Sequence, residues 1–394
     1  MFQNLNPLPA DAILRLIAEQ KDDPRDDKID LGVGVYRDAN GHTPILETVK
    51  QAERRLIDAQ TSKTYLGSGG NPAFNEAMQS MIFGGAGDGS NRITTLQTPG
   101  GSGSLRVAAG LILRARPEAT VWASDPTWAN HVPLLGGAGI RLEKYPYYEA
   151  EGKTVRFAEM LDTLQRMPQG DIVLLHGCCH NPTGMDLTTE QWREVAGVIA
   201  KRGLLPFIDI AYQGFAEGLE EDTFPVRHLF DRVPEMIVSS SCSKNFGLYR
   251  DRVGSLSVVS ADAATAATIR SQAFNIVRTL YSMPPDHGAA IVNCILRDDE
   301  LRAAWLAELA GMRKRLQAMR ALLRAALKEQ APGQDFSHLE RGRGMFSFLG
   351  VSPAQVERLK SEFGVYMVDS SRINVAGITP ANVGRLAAAI AAVL

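Results

Sequence analysis

Short apolar runs, each breaking off into small or polar residues, recur through the middle of the chain. Val121-Trp122-Ala123 passes into Ser124 and Asp125, Ile172-Val173-Leu174-Leu175 into His176, Leu204-Leu205-Pro206-Phe207-Ile208 into Asp209, and Met236-Ile237-Val238 into serines. Stretches with helical spacing lie between them. From about residue 92 to 260 this alternation predicts an α/β domain with a mainly parallel sheet. Pro206 counts against a central strand at its position, because proline removes a ladder donor. Residues 11–20 show helical spacing closed by Asp22-Asp23-Pro24, and residues 298–330 read as a long helix interrupted only by Gly311. Residues 29–36 read as an extended segment whose glycines, 32 and 34, allow close approach by another chain or a ligand. Gly32-Val33-Gly34 has no third glycine and no following helix at the right spacing, so it is not a dinucleotide fingerprint. Thr188 and Gln191 form a plausible helix capping box. Met345-Phe346-Ser347-Phe348, Val365-Tyr366-Met367-Val368 and a final Ala-rich helix predict a smaller α+β domain. No repeat or low-complexity linker interrupts this plan.

The polar clusters follow predicted strands, and in open α/β sheets the ligand crevice lies beyond the carboxyl ends of the strands. Thr98-Pro99-Gly100-Gly101-Ser102-Gly103-Ser104 precedes a helical run starting near Leu105. Free backbone N–H groups and a hydroxyl could there meet a phosphate at a positive helix terminus, although most Gly-Ser runs are simply loops. Ser241-Cys242-Ser243-Lys244-Asn245-Phe246-Gly247 ends a buried strand with one lysine, and Arg250 and Arg252 follow closely. Burial and a neighbouring cation both disfavour the ammonium, which makes Lys244 a candidate Schiff-base former; a solvated loop is the commoner fate of such a triplet. Trp128 offers a flat face for an aromatic cofactor, with packing on the core as the alternative. Asp209, at the mouth of an apolar strand with Tyr212 three residues on, needs a partner to stay charged. A protonated ring nitrogen or a structural arginine would serve. Cys178, Cys179 and His180 are adjacent and cannot readily surround one tetrahedral ion, so no metal is expected.

Composition narrows the class. The chain has 394 residues, 45% hydrophobic and 22% charged, enough for two domains. A net charge of -2, without long blocks of one sign, gives no reason to expect nucleic acid or an anionic membrane as partner. Four cysteines, at 178, 179, 242 and 294, suggest no disulfide framework. No leader-like start and no spanning apolar run appear, so a soluble cytoplasmic protein is expected.

Taken together the clusters describe one ligand. It has a phosphate (Gly101, Ser102, Ser241, Arg252), a flat ring (Trp128), a pyridinium nitrogen (Asp209), a ring oxygen (Asn181, Tyr212) and an aldehyde (Lys244), which is pyridoxal phosphate. The Lys244 motif, His180-Asn181-Pro182-Thr183-Gly184, Asp209 with Ala211-Tyr212-Gln213-Gly214-Phe215, and Ser371-Arg372-Ile373-Asn374-Val375-Ala376-Gly377 also resemble the aspartate/aromatic aminotransferases of fold type I, over residues 4–394.

The resemblance implies a large cofactor domain, 44–311, with a mostly parallel seven-stranded sheet flanked by helices, and a small α+β domain from 1–43 and 312–394. It implies that Lys244 holds the cofactor and later moves the substrate proton, and that Asp209 keeps the pyridine nitrogen protonated with His131 and His176 behind it. Asn181 and Tyr212 would tune the ring oxygen. Arg372 would bind the substrate α-carboxylate bidentately, helped by Trp128, Asn181 and the backbone at Gly34. Tyr65 would reach the phosphate of the neighbouring subunit, which implies a homodimer with shared sites. Arg278 matches the arginine that reads a distal carboxylate across that interface. Met283 and Thr64 stand where aspartate-specialised relatives have asparagine, and Ser102 where they have threonine, so Arg278 could swing aside for an aromatic ring. The expected activity is aromatic amino acid transamination with 2-oxoglutarate, retaining aspartate. A plain aspartate aminotransferase, favoured by Val35, Arg37 and Thr43, is the alternative, and a lyase of the same fold a distant one.

Overall fold

In the computed structural model, which describes residues 1–8, 11–87 and 89–394, the apolar runs become strands of one seven-stranded sheet. These are β1 (Ile93–Pro99), β2 (Thr120–Asp125), β3 (Arg141–Pro146), β4 (Ile172–His176), β5 (Leu205–Ile210), β6 (Met236–Ser241) and β7 (Val253–Val259), in the spatial order β1-β7-β6-β5-β4-β2-β3. β7 is antiparallel to both neighbours, and every other pairing is parallel. Every residue of β6 and β7 is buried, as strands covered by helices on both faces require. The hydroxyls they take inside pair with one another, Ser240 with Ser255 at 2.7 Å and Thr95 with Ser257 at 2.9 Å.

One reversed strand fixes where chemistry can gather. The carboxyl ends of β1, β2, β4, β5 and β6 share an edge with the amino end of β7, so Arg252, just before β7, meets residues that follow the other strands. Pro206 does lie in β5, and the register explains why it is tolerated. The Leu205 N–H donates to Asp171 on the β4 side, so alternation turns the Pro206 nitrogen toward β6, where pairing begins only at Phe207.

Helix α1 (Ala12–Asp22) starts where its N-cap does, with the Asp11 carboxylate accepting from the N–H groups of Ile13 and Leu14. The Thr188/Gln191 capping box forms as expected. Two expectations need correction. Helix α2 (Gly100–Ala115) begins directly after β1, five residues before the start expected near Leu105. Gly100 has φ +70°, a conformation that favours glycine, and a Cβ on Gly254 of β7 would lie 2.7 Å from the Gly100 carbonyl carbon, so the two backbones meet closely. Helix α3 (Asp299–Gln330) runs 32 residues without a break, so Gly311 does not interrupt it. That glycine faces open space and costs only its weak propensity, about 1 kcal/mol.

Residues 29–36 are not one strand. Only Ile29–Asp30 pairs, in parallel with Val365–Tyr366. Beyond it side chains replace the ladder: Asn374 Nδ2 donates to the Val33 and Val35 carbonyls at 2.6 and 2.7 Å, and the Tyr36 N–H donates to the Tyr249 hydroxyl at 2.8 Å. Phe346–Phe348 pairs antiparallel with Arg372–Asn374, setting Phe346 opposite Asn374 and Phe348 opposite Arg372. Among the described residues no helix is long and apolar enough to cross a membrane.

Candidate active site

A cleft with room for about 280 Å³ opens at the shared strand edge. Gly34, Gly101, Ser102, Trp128, His176, Asn181, Asp209, Tyr212, Ser241, Lys244, Arg252 and Arg372, drawn from segments spread over most of the sequence, all line it. His131 is fully buried behind the cleft. Tyr65 and Arg278 stand outside it: Tyr65 is 89% exposed, and exposed Arg278 donates to the Ser282 hydroxyl.

Lys244 follows β6 into the cleft, its Nζ 4.8 Å from the centre of the Tyr212 ring. Burial brings the amine down from 10.5 to about 8; the Asp209 carboxylate resists that fall and the Arg252 guanidinium adds to it. Burial also pushes the Tyr212 hydroxyl well above its ordinary value, against the pull of Arg372, so it stays a donor. An amine at this value has a measurable signature. In cofactor-free protein, an acylating reagent should modify Lys244 with a midpoint near pH 8, whereas exposed lysines need about pH 10.4. Peptide mapping across a pH series checks this, and a midpoint above 10 would mean that the cleft does not strip water from the ammonium.

Asp209, 6% exposed, receives His131 Nε2 at 3.1 Å. Burial alone would raise its carboxyl, but the His131 hydrogen bond leads the opposing effects, the nearby Lys244 amine among them, that outweigh it, so the group is held below the usual carboxylate range. Thr127 Oγ1 bridges His131 Nδ1 at 2.8 Å and His176 Nε2 at 3.1 Å. Burial, reinforced by His131, drops His176 to about 3, and it stays neutral. Thr127 Oγ1 lies within hydrogen-bond distance of both rings and can donate to one while accepting from the other. The carboxylate is thereby fixed in one orientation, with its charge available to the cleft.

At the other end lies an anion cradle. The first turn of α2 presents Gly101 and Ser102, and Ser241 Oγ donates to Ser243 Oγ at 3.1 Å. Arg252 Nη1 donates to Ser243 Oγ at 3.2 Å and to the Tyr249 carbonyl at 3.1 Å, both uncharged, and a Cβ on Gly100 would lie 2.5 Å from Arg252 Nη2. A guanidinium held by neutral oxygens above a helix N-terminus fits a phosphate.

Arg372 supplies a second anion site. Its Nη2 donates to the Gly32 carbonyl at 2.7 Å, its guanidinium carbon lies 4.4 Å from the centre of the Phe346 ring, and its Nε is buried without a partner. The unused donors of a planar fork suit a carboxylate.

Several residues at the site escaped the sequence reading. Ser243, Tyr249, Phe346, Ile13 and Leu105 line the cleft, and Thr127 links the two histidines. Ser243 stood inside the lysine motif, where its hydroxyl was a usable signal. Tyr249 and Phe346 carried none, because their contacts reach across long separations in sequence.

The sequence profile described as aminotransferase class I and II matches residues 26–390. An aromatic-amino-acid aminotransferase of Paracoccus denitrificans is 47% identical over 392 residues, covering 99% of this chain and 99% of that one. An aspartate aminotransferase of Escherichia coli (strain K12) is 47% identical over 396 residues, covering both chains completely (100% each). The crystal structure of an aromatic-amino-acid aminotransferase from Burkholderia pseudomallei, covalently bound to pyridoxal phosphate, superposes with a TM-score of 0.97 at 43% identity, covering 100% of this chain and 99% of that one.

Proposed function

The chain belongs to the class I and II aminotransferases, and from that membership we propose that it moves amino groups between aromatic amino acids and 2-oxoglutarate, retains activity on aspartate and glutamate, and holds pyridoxal phosphate on Lys244. One observation carries the reading: a lysine with a lowered pKa, a buried carboxylate, a phosphate-sized cradle and a free guanidinium fork converge on one cleft.

When bound, the cofactor supplies an aldehyde for the substrate amine and an electron-withdrawing ring that weakens the bond from Cα to its hydrogen. The chain's residues do the rest. The first turn of α2, Ser241 and Arg252 hold the phosphate, with Ser243 orienting Arg252. Trp128 packs on the ring, and the Asp209 charge keeps a proton on the ring nitrogen. Asn181 and the Tyr212 hydroxyl donate toward the ring oxygen. Arg372 grips the substrate α-carboxylate, assisted by Asn181 and the backbone at Gly34. Lys244 Nζ, unprotonated, would be the base that receives the Cα proton.

Substrate choice turns on residues that do not line this chain's own cleft. Tyr65 and Arg278 act in the site of a second copy of the chain, which makes the working unit a homodimer. The surface around them supports that assignment, since Tyr65, Ile57, Leu66, Phe274 and Leu280 all leave large apolar side chains exposed. Arg278, in the last turn of the helix Ala263–Leu280, is held among the described residues only at the hydroxyl of Ser282 just beyond it, and can turn away at little cost when a ring enters. The aspartate reading stays in play because aspartate aminotransferases match the chain as closely as aromatic ones. The two part on one measurement. Arg278→Leu should lower kcat/KM for aspartate by about 100-fold, the cost of a buried charged partner lost, and change that for phenylalanine by no more than about threefold. Equal losses would remove Arg278 from the specificity argument. The general activity is tested by absorbance: an amino donor should bleach the aldehyde form of the cofactor, and an oxo acid should restore it.

A further inference from the structure

Arg320, in the interior of α3, is 1% exposed, among the largest fully buried side chains. Its guanidinium is met by uncharged oxygens: Nη1 donates to the Leu339 carbonyl at 2.9 Å, and Nη2 to those of Arg343 and Gly344 at 3.0 Å each and to that of Phe346. Nε has no partner. A cation out of water and held by dipoles alone is tolerated only where those dipoles are fixed, so the arrangement ties down the segment that supplies them.

That segment leads straight into the site. It ends in Phe346, whose ring lies under the Arg372 guanidinium at 4.4 Å. It also touches, backbone to backbone, the loop that carries Asn181. The Arg343 N–H donates to the Gly184 carbonyl at 2.7 Å. A Cβ on Gly184 would lie 2.1 Å from the Phe346 carbonyl oxygen and 3.1 Å from Arg320 Nη2, and a Cβ on Gly344 would lie 2.5 Å from that of Cys179. The head of Arg320 thus closes the seam between the loop that presents Asn181 and the stretch that presents Phe346, on whose ring Arg372 rests.

We propose that Arg320 is a positioning residue for carboxylate recognition: it clamps the segment ending in Phe346 against the Asn181 loop and so holds the Arg372 fork at the orientation a substrate carboxylate needs. This rests on the reading of Arg372 given above. The α3 guanidinium makes no contact with ligand itself; it acts through Phe346.

The test uses the cofactor-loaded protein and succinate, a dicarboxylate that cannot react, with its Kd measured by calorimetry per cofactor-loaded site. Arg320→Met should weaken succinate about 100-fold, the scale of a remote misplacement near 1 Å, while cofactor content stays at the wild-type level. Arg320→Lys should recover part of that loss, since one ammonium nitrogen cannot occupy both of the positions from which Nη1 and Nη2 reach the four carbonyls. Gly342→Ala tests the clamp with the charge intact, because its Cβ would lie 2.5 Å from Arg320 Nη1 and push the head aside; a loss of several-fold is expected. If Arg320→Met does not fold, the other two variants decide. Wild-type succinate affinity in the folded variants overturns the proposal, and so does a loss of cofactor in proportion to the loss of succinate, which marks a general structural role. Arg372→Leu separates the two levels. If it binds succinate normally, the reading of Arg372 fails; if it does not while the Arg320 variants do, only the clamp fails.

Discussion

Lys244→Ala is expected to give a folded, cofactor-binding protein in which amino transfer falls by about 10⁴-fold or more, the upper range for losing one acid-base group. The size follows from two jobs on one atom. The Nζ is the only point of covalent attachment in the proposed site, and its pKa of about 8 makes it the cleft group best matched to take a proton near neutral pH. The other titratable groups are poorly suited to that role, since the Asp209 carboxyl is held too acidic, His176 is neutral with a value of about 3, and burial drives the Tyr212 hydroxyl well up. Retention of the cofactor is equally part of the prediction. The cradle at Arg252 and the first turn of α2 does not depend on the lysine. Single-turnover absorbance with phenylalanine checks both halves, and turnover within tenfold of the unaltered protein would remove Lys244 from its assigned role.

The parallel sheet and the edge where the cleft opens were legible because both rest on local patterns. Apolar runs long enough for a strand ended in Asp125, His176, Asp209 and Ser241, and strand direction then put those ends together. Local rules failed where a distant element decided the outcome. The glycines after Pro99 looked like a loop because glycine is a poor helix former, but the helix begins there, where the Gly100 backbone at φ +70° lies against Gly254 of the neighbouring strand. Residues 29–36 read as an extended segment, whose backbone groups a ladder would ordinarily satisfy. Asn374, some 340 positions away, takes two of the carbonyls instead. Pro206 was flagged by a sound rule whose exception depends on which neighbouring strand starts later.

The same division runs through the site. Lys244 and Asn181 could be singled out by type and setting, and Arg372 by the motif that carries the resemblance, and the three converge on one cleft. Residues that work by supporting another side chain could not. Thr127 is an ordinary threonine until His131 and His176 are seen on either side of it, and Phe346 is one of two alternating aromatics until Arg372 is seen above one of them. Arg320 is the extreme case, since in sequence it is one more arginine on an Ala- and Arg-rich helix. Support of this kind depends on side-chain direction across the fold, which periodicity does not encode.

Asp209→Asn should slow the half-reaction by roughly 10²- to 10⁴-fold, the equivalent of the ~3–5 kcal/mol lost when one partner of a buried ion pair is removed. The substitution conserves shape. The amide oxygen can still accept from His131 Nε2, so the Thr127 and His176 links survive and the loss reports the charge alone. That charge is unusually secure: despite nearly complete burial, the His131 hydrogen bond, with Lys244 nearby, holds the carboxyl below its ordinary value. The sign of the pH dependence follows. A depressed carboxyl loses its charge only when the pH falls through its lowered folded value, so protonation of Asp209 contributes no loss of activity around neutrality. An amide has no such titration, and the variant should therefore be slow at every pH, with no recovery on raising it. The decisive comparison is the single-turnover rate with phenylalanine for both proteins at a series of pH values. A rate within threefold of the unaltered protein would show that the ring nitrogen needs no negative partner, and with it would go the case for the strand-end carboxylate as the group that makes the cofactor an electron acceptor.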